Sequence, residues 1–129
     1  MIIDTSAIIA ILADEPEGEV FLEAITNASR VSISAATYVE ISLVLERFPE
    51  HAEALDEFLS ALGIDIQPVT TTQARIARDA FHAYGKGRHP AGLNYGDCFG
   101  YALAKASGEP LLFKGDDFTK TDVENVGDL

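Results

Sequence analysis

Apolar and polar positions alternate along this chain in two rhythms. Short apolar runs bounded by polar or turn-forming residues are interleaved with longer stretches in which apolar positions recur every three or four residues. Met1–Ile3 is a short apolar run ending at Asp4 and reads as a strand. Ser6–Leu12 and Glu17–Ala28 read as helices, Val31–Ser34 as a strand, and Ala35–Phe48 as a helix limited by Pro49, because proline disfavours helical geometry in the residue before it. The pattern continues with a helix over Ala52–Leu62 ended by Gly63, a strand at Asp65–Val69 and a helix at Thr72–Tyr84. Gly85–Leu93 is a Gly- and Pro-containing loop, Asn94 caps a helix running to about Ser107, Leu111–Phe113 is a strand, and Val123–Val126 holds a last short one. Strands alternating with helices predict an α/β fold, a mainly parallel sheet flanked by helices. No repeat, low-complexity tract or linker interrupts the pattern, so residues 1–129 read as a single domain.

Composition agrees with a packed core. Apolar residues make up 47% of the chain, which suffices without a disulfide, and the lone Cys98 cannot form one within the chain. The single cysteine favours a reducing, cytoplasmic setting. No apolar run approaches a membrane span, and the N-terminus lacks the charged-then-apolar pattern of a secretory signal. A net charge of −12 argues at first against a nucleic-acid ligand. Its distribution changes that picture: residues 1–65 carry 13 acidic and 2 basic side chains, whereas residues 66–121 carry 5 acidic and 7 basic ones. A phosphate chain would prefer the second stretch.

The candidate chemistry lies in acidic residues at particular places. Asp4 follows the first strand directly, and Asp116 and Asp117 follow the strand at Leu111–Phe113. In open parallel α/β sheets ligands bind beyond the carboxyl ends of strands, so these sites share one edge. Asp4 also suits a helix N-cap and Asp116-Asp117 a plain turn. Glu40 lies in mid-helix, with Ala36, Thr37, Leu43 and Val44 at spacings of three and four, a face expected to pack against the sheet. A carboxylate there needs a partner, and metal ligation or a buried ion pair supplies one. Asp97 occupies about the third position of its helix, where a carboxylate also suits the helix dipole. An all-carboxylate set suits Mg²⁺ or Mn²⁺ better than Zn²⁺, and such ions activate water for attack on phosphodiesters.

Four segments in order resemble one family: Met-Ile-Ile-Asp4-Thr5-Ser6-Ala7, Glu40 in the helix after the second strand, Leu93-Asn94-Tyr95-Gly96-Asp97-Cys98-Phe99, and Leu111-Leu112-Phe113-Lys114-Gly115-Asp116-Asp117-Phe118. They are similar to PIN-domain ribonucleases, above all the VapC-type toxins of bacterial toxin–antitoxin pairs, over essentially the whole chain. The resemblance implies a Rossmann-like PIN fold, a homodimer, and an endoribonuclease using Mg²⁺ or Mn²⁺ with Asp4, Glu40, Asp97 and Asp117 as catalytic carboxylates and metal ligands. Asp117 fits the Gly-x-Asp-Phe form, with Asp116 as the alternate ligand. Thr5 and Ser6 match a polar pair suited to hydrogen-bonding Asp4 or a metal-bound water. The resemblance also implies a small, DNA-binding, VapB-like antitoxin occupying the cleft and an RNA substrate.

Beside the Asp97 helix, Lys86 and Arg88 sit on a loop where they can meet RNA phosphates, and Tyr84 and Tyr95 flank it as candidates for stacking on unpaired bases. A solvated loop with a core tyrosine at each end reads equally well. Cys98 reads as a small buried side chain, and His51, His82 and His89 read as surface positions without ligand spacing. Two other functions share these features. One is a different carboxylate-metal phosphoryl-transfer enzyme, with Asp4 as nucleophile, which the lack of a second aspartate two residues on disfavours; the other is a non-catalytic RNA-binding module of the same fold.

Overall fold

The computed structural model describes residues 1–127, apart from the Ala52 side chain. The elements are β1 (Ile2–Ile3), α1 (Thr5–Leu12), α2 (Gly18–Asn27), β2 (Ser32–Ser34), α3 (Ala35–Leu45), α4 (Pro49–Ala52), α5 (Ala54–Ala61), β3 (Asp65–Gln67), α6 (Thr71–Tyr84), α7 (Asp97–Ser107), β4 (Leu111–Leu112) and a 3₁₀ turn at Phe118–Lys120. Among the described residues four strands form a parallel sheet in the order β3-β2-β1-β4. Ile2 stands opposite Ser32 on one side and Leu111 on the other. Asn125 bridges in parallel to Leu111, which is all that forms of the strand expected at Val123–Val126.

The strands are short, yet their two-residue period still sorts side chains between two layers. Ile3, Ile33 and Leu112 point into a layer with α1, α2, α3 and α5, packed by Ile8, Phe21, Ile25, Ile41, Leu55 and Leu59. Ile2 and Leu111 point the other way, toward Ala77, Ala80, Leu93, Tyr101, Leu103 and Phe118. Helix α7 is buried continuously from Gly100 to Ala104, because it lies between the sheet and α6. The small side chains on that stretch let the backbones approach closely.

Several boundaries differ from the sequence reading, each for a local reason. The helix from Ala35 ends at Leu45, and Pro49 opens the separate α4 as its first residue, a position that tolerates the missing N–H. The helix expected over Ala52–Leu62 is therefore divided between α4 and α5. Strand β3 stops at Gln67, immediately before Pro68, and is an edge strand with Ile66 46% exposed. The expected apolar packing around Glu40 is corrected: the buried stripe of α3 is Thr37, Ile41 and Leu45, whereas Leu43 is 65% exposed. Glu40 thus lies on the flank of the helix, half-buried.

Candidate active site

Going out from β1, the chain passes to β2 and β3 on one side and returns to β4 on the other. The order reverses between β1 and β4, and the crevice at such a switch point lies beyond the strands' carboxyl ends. Asp4 leaves β1 there and the segment from Phe113 to Asp117 leaves β4 there.

Asp4 is almost wholly buried, at 4% exposure. It caps α1: its Oδ2 accepts the Ser6 backbone N–H at 3.0 Å and the Ser6 hydroxyl at 2.6 Å. Ser6 Oγ in turn accepts the Lys114 backbone N–H at 2.9 Å. One serine thus ties the exit of β4 to the carboxylate at the exit of β1. Thr5 points elsewhere and donates its hydroxyl to Glu40 Oε1, which aims Glu40 back across the crevice. Of the polar pair considered as partners of Asp4, Ser6 takes that place and Thr5 orients Glu40.

Asp97 opens α7 in a reciprocal cap. Its backbone N–H donates to Asn94 Oδ1 at 2.9 Å, and its Oδ2 accepts the Asn94 backbone N–H at 3.0 Å. This is the arrangement of a capping box, with Asn94 in the capping place and Asp97 three residues on. The helix-dipole reading of Asp97 and its place at the crevice are therefore compatible, since one oxygen serves the cap.

The carboxylates feel one another. Burial pushes the Asp4 carboxyl up to about 6; hydrogen bonds from Ser6 oppose the rise, and the charges of Asp97 and Glu40 add to it. Asp97 is also raised, first by burial and then by Glu40 and Asp117, against the lowering effect of the Asn94 N–H. Asp4, Glu40 and Asp97 thus face one another across the crevice, and Asp117 acts on Asp97 from its far side. Asp116 and Asp117 are both exposed, and the Asp116 backbone carbonyl accepts the Thr119 N–H at 3.1 Å in the turn that follows.

A glycine assigned no role by the sequence completes the site. A Cβ at Gly96 would lie 1.7 Å from Glu40 Oε2, so the absence of a side chain there is what makes room for the carboxylate. Gly100, one turn after Asp97, faces Asp4 Oδ1, and a Cβ there would make only ordinary contact with it, at 3.5 Å. The only sequence signal for Gly96 is its place just before the acidic helix start, where a serine or asparagine would ordinarily serve as well.

Among the described residues, no three Asp, Glu, His or Cys side chains stand close enough together to enclose an ion by themselves. Magnesium does not require such a cage: it keeps several waters and takes one or two carboxylates directly. The hard oxygen donors, their mutual charge and a buried Asp4 fit an ion of that kind. Other candidates lie outside this cluster. Lys86 and Arg88 are exposed on the loop after α6, whereas Tyr84 is half-buried and its ring meets those of Tyr101 and His89. His89 is half-buried, and its Nδ1 accepts the Ala91 N–H at 3.0 Å, which corrects its reading as a surface residue. Cys98 is buried with its thiol pushed up to about 11 by burial, so it carries no thiolate at neutral pH.

Fold and site together define a Rossmann-like α/β protein with a carboxylate crevice at its switch point. The chain belongs to the PIN-domain family, whose model matches residues 1–124, and within that family to the VapC group. It is 53% identical to ribonuclease VapC30 of Mycobacterium tuberculosis over 129 residues, covering 98% of both chains. It is 51% identical to ribonuclease VapC of Mycolicibacterium smegmatis, covering 98% of this chain and 99% of that one. Among solved structures, Mycobacterium tuberculosis VapC20, described as a sarcin-ricin loop cleaving toxin, shares the fold with a TM-score of 0.76 at 17% identity over 98% of each chain. A toxin–antitoxin complex from Klebsiella pneumoniae contains a chain of the same fold, with a TM-score of 0.71 at 19% identity over 94% of this chain and 92% of that one.

Proposed function

We propose that this chain, as one domain over residues 1–129, is a divalent-metal-dependent endoribonuclease, acting in the cytoplasm as the toxin of a VapBC-like toxin–antitoxin pair. The reading rests on Asp4, Glu40 and Asp97 facing one another at the sheet's switch point, with Glu40 held against Thr5 and Gly96 and no cation paired to any of them among the described residues. The names of relatives at about half identity support the substrate class. Asp4, Glu40, Asp97 and Asp117 would hold Mg²⁺ or Mn²⁺, directly or through water, with Asp116 as the alternate to Asp117. When bound, such an ion activates water and offsets charge on the scissile phosphate.

The chain's own residues do the positioning. Ser6 holds Asp4, Thr5 holds Glu40, and the Asn94 cap holds Asp97, so three of the four carboxylates are oriented by a neighbour before any ligand arrives. Lys86 and Arg88 would meet the RNA backbone. An acidic crevice lacking a cation also suits inhibition by a VapB-like antitoxin that inserts an arginine, whose guanidinium pairs with carboxylates in two-point geometry. The reading extends to a homodimer, supported by Val39 and Leu43 left exposed on the outer face of α3.

Incubating the purified chain with end-labelled RNA, with Mg²⁺ and with EDTA, tests this function. Internal cleavage only with metal is expected. Binding without cleavage would leave the RNA-binding module, and a phosphoryl-enzyme intermediate on Asp4 would point to the other phosphoryl-transfer class.

A further inference from the structure

The segment that leaves β4 is pinned from outside the crevice. Lys114 follows Phe113 there, and its ammonium sits between two carboxylates, with Glu15 Oε1 at 2.6 Å and Glu17 Oε2 at 3.0 Å. Glu17 Oε2 is buried and has no hydrogen-bond donor among the described residues, so the charge of the ammonium is what offsets its own. Both acids belong to the turn between α1 and α2, and that turn is a firm anchor. The Glu15 N–H donates to the Ala10 carbonyl at 2.8 Å and the Gly18 N–H to the Glu15 carbonyl at 2.9 Å. Gly18 lies so close to α1 that a Cβ there would stand 2.7 Å from the Ala10 carbonyl oxygen. Asp14 takes the left-handed conformation, φ 53°, that turns the chain back. Two carboxylates on a turn folded against α1 thus hold one lysine at the exit of β4.

Lys114 in turn meets the site from two directions. Its backbone N–H donates to Ser6 Oγ at 2.9 Å, and Ser6 Oγ donates to Asp4 Oδ2 at 2.6 Å. Asp117 lies three residues further along the chain. Gly115, between the two, stands at φ 95°, a conformation that favours glycine. The path from β4 to Asp117 is therefore set by what holds its ends, Lys114 on one side and the buried Phe118 on the other.

Resting on the metal-dependent reading above, we propose that Lys114 is a positioning residue: its clamp between Glu15 and Glu17 fixes the exit of β4, and with it the places of Asp4 and Asp117 toward the cation. The lysine is not itself a ligand. Charge alone argues for the opposite effect, because a positive group beside a divalent site weakens that site and its removal tightens binding. Positioning and charge therefore differ in sign, and one substitution reads which of them dominates. Groups that orient metal ligands carry roughly ten- to a hundredfold in affinity, which exceeds the effect of one exposed charge in water.

The test titrates Mn²⁺ into the full chain by calorimetry and measures RNA cleavage alongside. Lys114→Met keeps most of the stem and loses the charge; its Mn²⁺ affinity should fall about tenfold, and excess Mn²⁺ should restore cleavage. Lys114→Arg, which can pair with both acids, should bind Mn²⁺ nearly as the unsubstituted chain does. The Glu15→Gln, Glu17→Gln double variant should show the same loss as Lys114→Met, and all three changes together should add nothing further. Lys105→Ala breaks an ion pair of similar exposure elsewhere and should leave the affinity unaltered. Unchanged or tighter Mn²⁺ binding by a Lys114→Met chain that still cleaves RNA would overturn this inference alone. Recovery of the double variant on adding Lys114→Met would overturn it as well, since the lysine would then be an intruder that the two acids hold off the site. An unsubstituted chain that neither binds Mn²⁺ nor cleaves RNA would overturn both this inference and the function on which it rests.

Discussion

Two sets of carboxylates in this molecule are treated in opposite ways. Away from the crevice, Glu109, Asp122 and Glu15 each have a cation or a strong donor. Glu109 meets the N-terminal ammonium at 2.7 Å, Asp122 meets Lys105 at 3.1 Å and the Tyr101 hydroxyl at 2.5 Å, and Glu15 meets Lys114 at 2.6 Å. At the crevice, Asp4 and Asp97 receive only neutral donors and face further acids. The consequence is visible in proton affinity: the Tyr101 hydrogen bond and then Lys105 hold Asp122 below the usual carboxylate range, whereas burial and neighbouring charge lift Asp4 and Asp97 above it. The fold thus supplies cations to acidic groups elsewhere. Leaving one cluster without any costs stability in the empty protein, and under the proposed function a bound cation would offset that cost.

The largest expected effect lies in cleavage. Asp97→Asn keeps the shape and the capping geometry but removes a charge that would hold the ion, so RNA cleavage should fall about a hundredfold or more while the far-UV spectrum stays native. Equal cleavage by a folded Asp97→Asn protein would erase the distinction between the two sets. The corresponding change at Asp122, Asp122→Asn, should leave cleavage alone.

Next in size is the displacement of Glu40. Gly96→Ala places a Cβ where Glu40 Oε2 now lies, so the carboxylate must rotate away from Thr5. Cleavage should drop roughly ten- to a hundredfold, the range seen when the groups that orient metal ligands are lost. Activity of Gly96→Ala equal to that of the unsubstituted chain would mean that Glu40 can work from another position.

The third effect is on stability and has a definite pH signature. Asp4 in the folded chain holds its proton up to about pH 6, whereas the unfolded chain releases it near 3.8. Folding stability from this group is therefore lost as pH rises from about 4 through 6, and the loss is complete above that window. Asparagine serves as well as aspartate at a helix cap and carries no charge. Asp4→Asn should accordingly be more stable than the unsubstituted chain at pH 8 in EDTA, by up to roughly 3 kcal/mol, and the difference should vanish near pH 4. Urea melts at the two pH values read this directly, and equal stability at pH 8 would contradict the raised proton affinity.

Asp122 has the reverse sign and a smaller size. Its stabilisation is present at neutral pH and is lost as pH falls through its depressed folded value. Because the pair is 39% and 55% exposed, Lys105→Ala should cost no more than about 1 kcal/mol. A larger loss, measured in the same melts, would mean that this surface pair is held more tightly than its exposure implies.

How far the sequence foretold this site depends on what each residue's role requires. Asp4, Asp97 and Asp116-Asp117 are readable because their strands or helix starts are readable, and a parallel sheet places its carboxyl ends together. The alternation that sends Ile2 to one layer and Ile3 to the other follows from strand geometry alone. Glu40 was singled out for a face that is only partly buried: spacing along α3 identifies helical neighbours, but not which of them the tertiary packing leaves outside, as Leu43 is. The pairing of Thr5 with Glu40 and the fit of Glu40 over Gly96 join residues far apart in the chain, and no local pattern encodes them. Tyr84 and Tyr95 read alike as loop-flanking aromatics; only packing separates Tyr84, half-buried against Tyr101, from the exposed ring of Tyr95 over Phe99.

The central claim is that these carboxylates are left unpaired in order to take a divalent cation. Thermal melts of the unsubstituted chain and of Asp4→Asn at pH 8, in EDTA and in excess Mn²⁺, test it most directly. At a free concentration about one hundred times its dissociation constant, the ion should stabilise the unsubstituted chain by roughly 2.7 kcal/mol, a rise in melting temperature on the order of 10 °C. Asp4→Asn should start higher in EDTA and gain much less. A melting temperature of the unsubstituted chain that is the same with and without the ion would contradict the account.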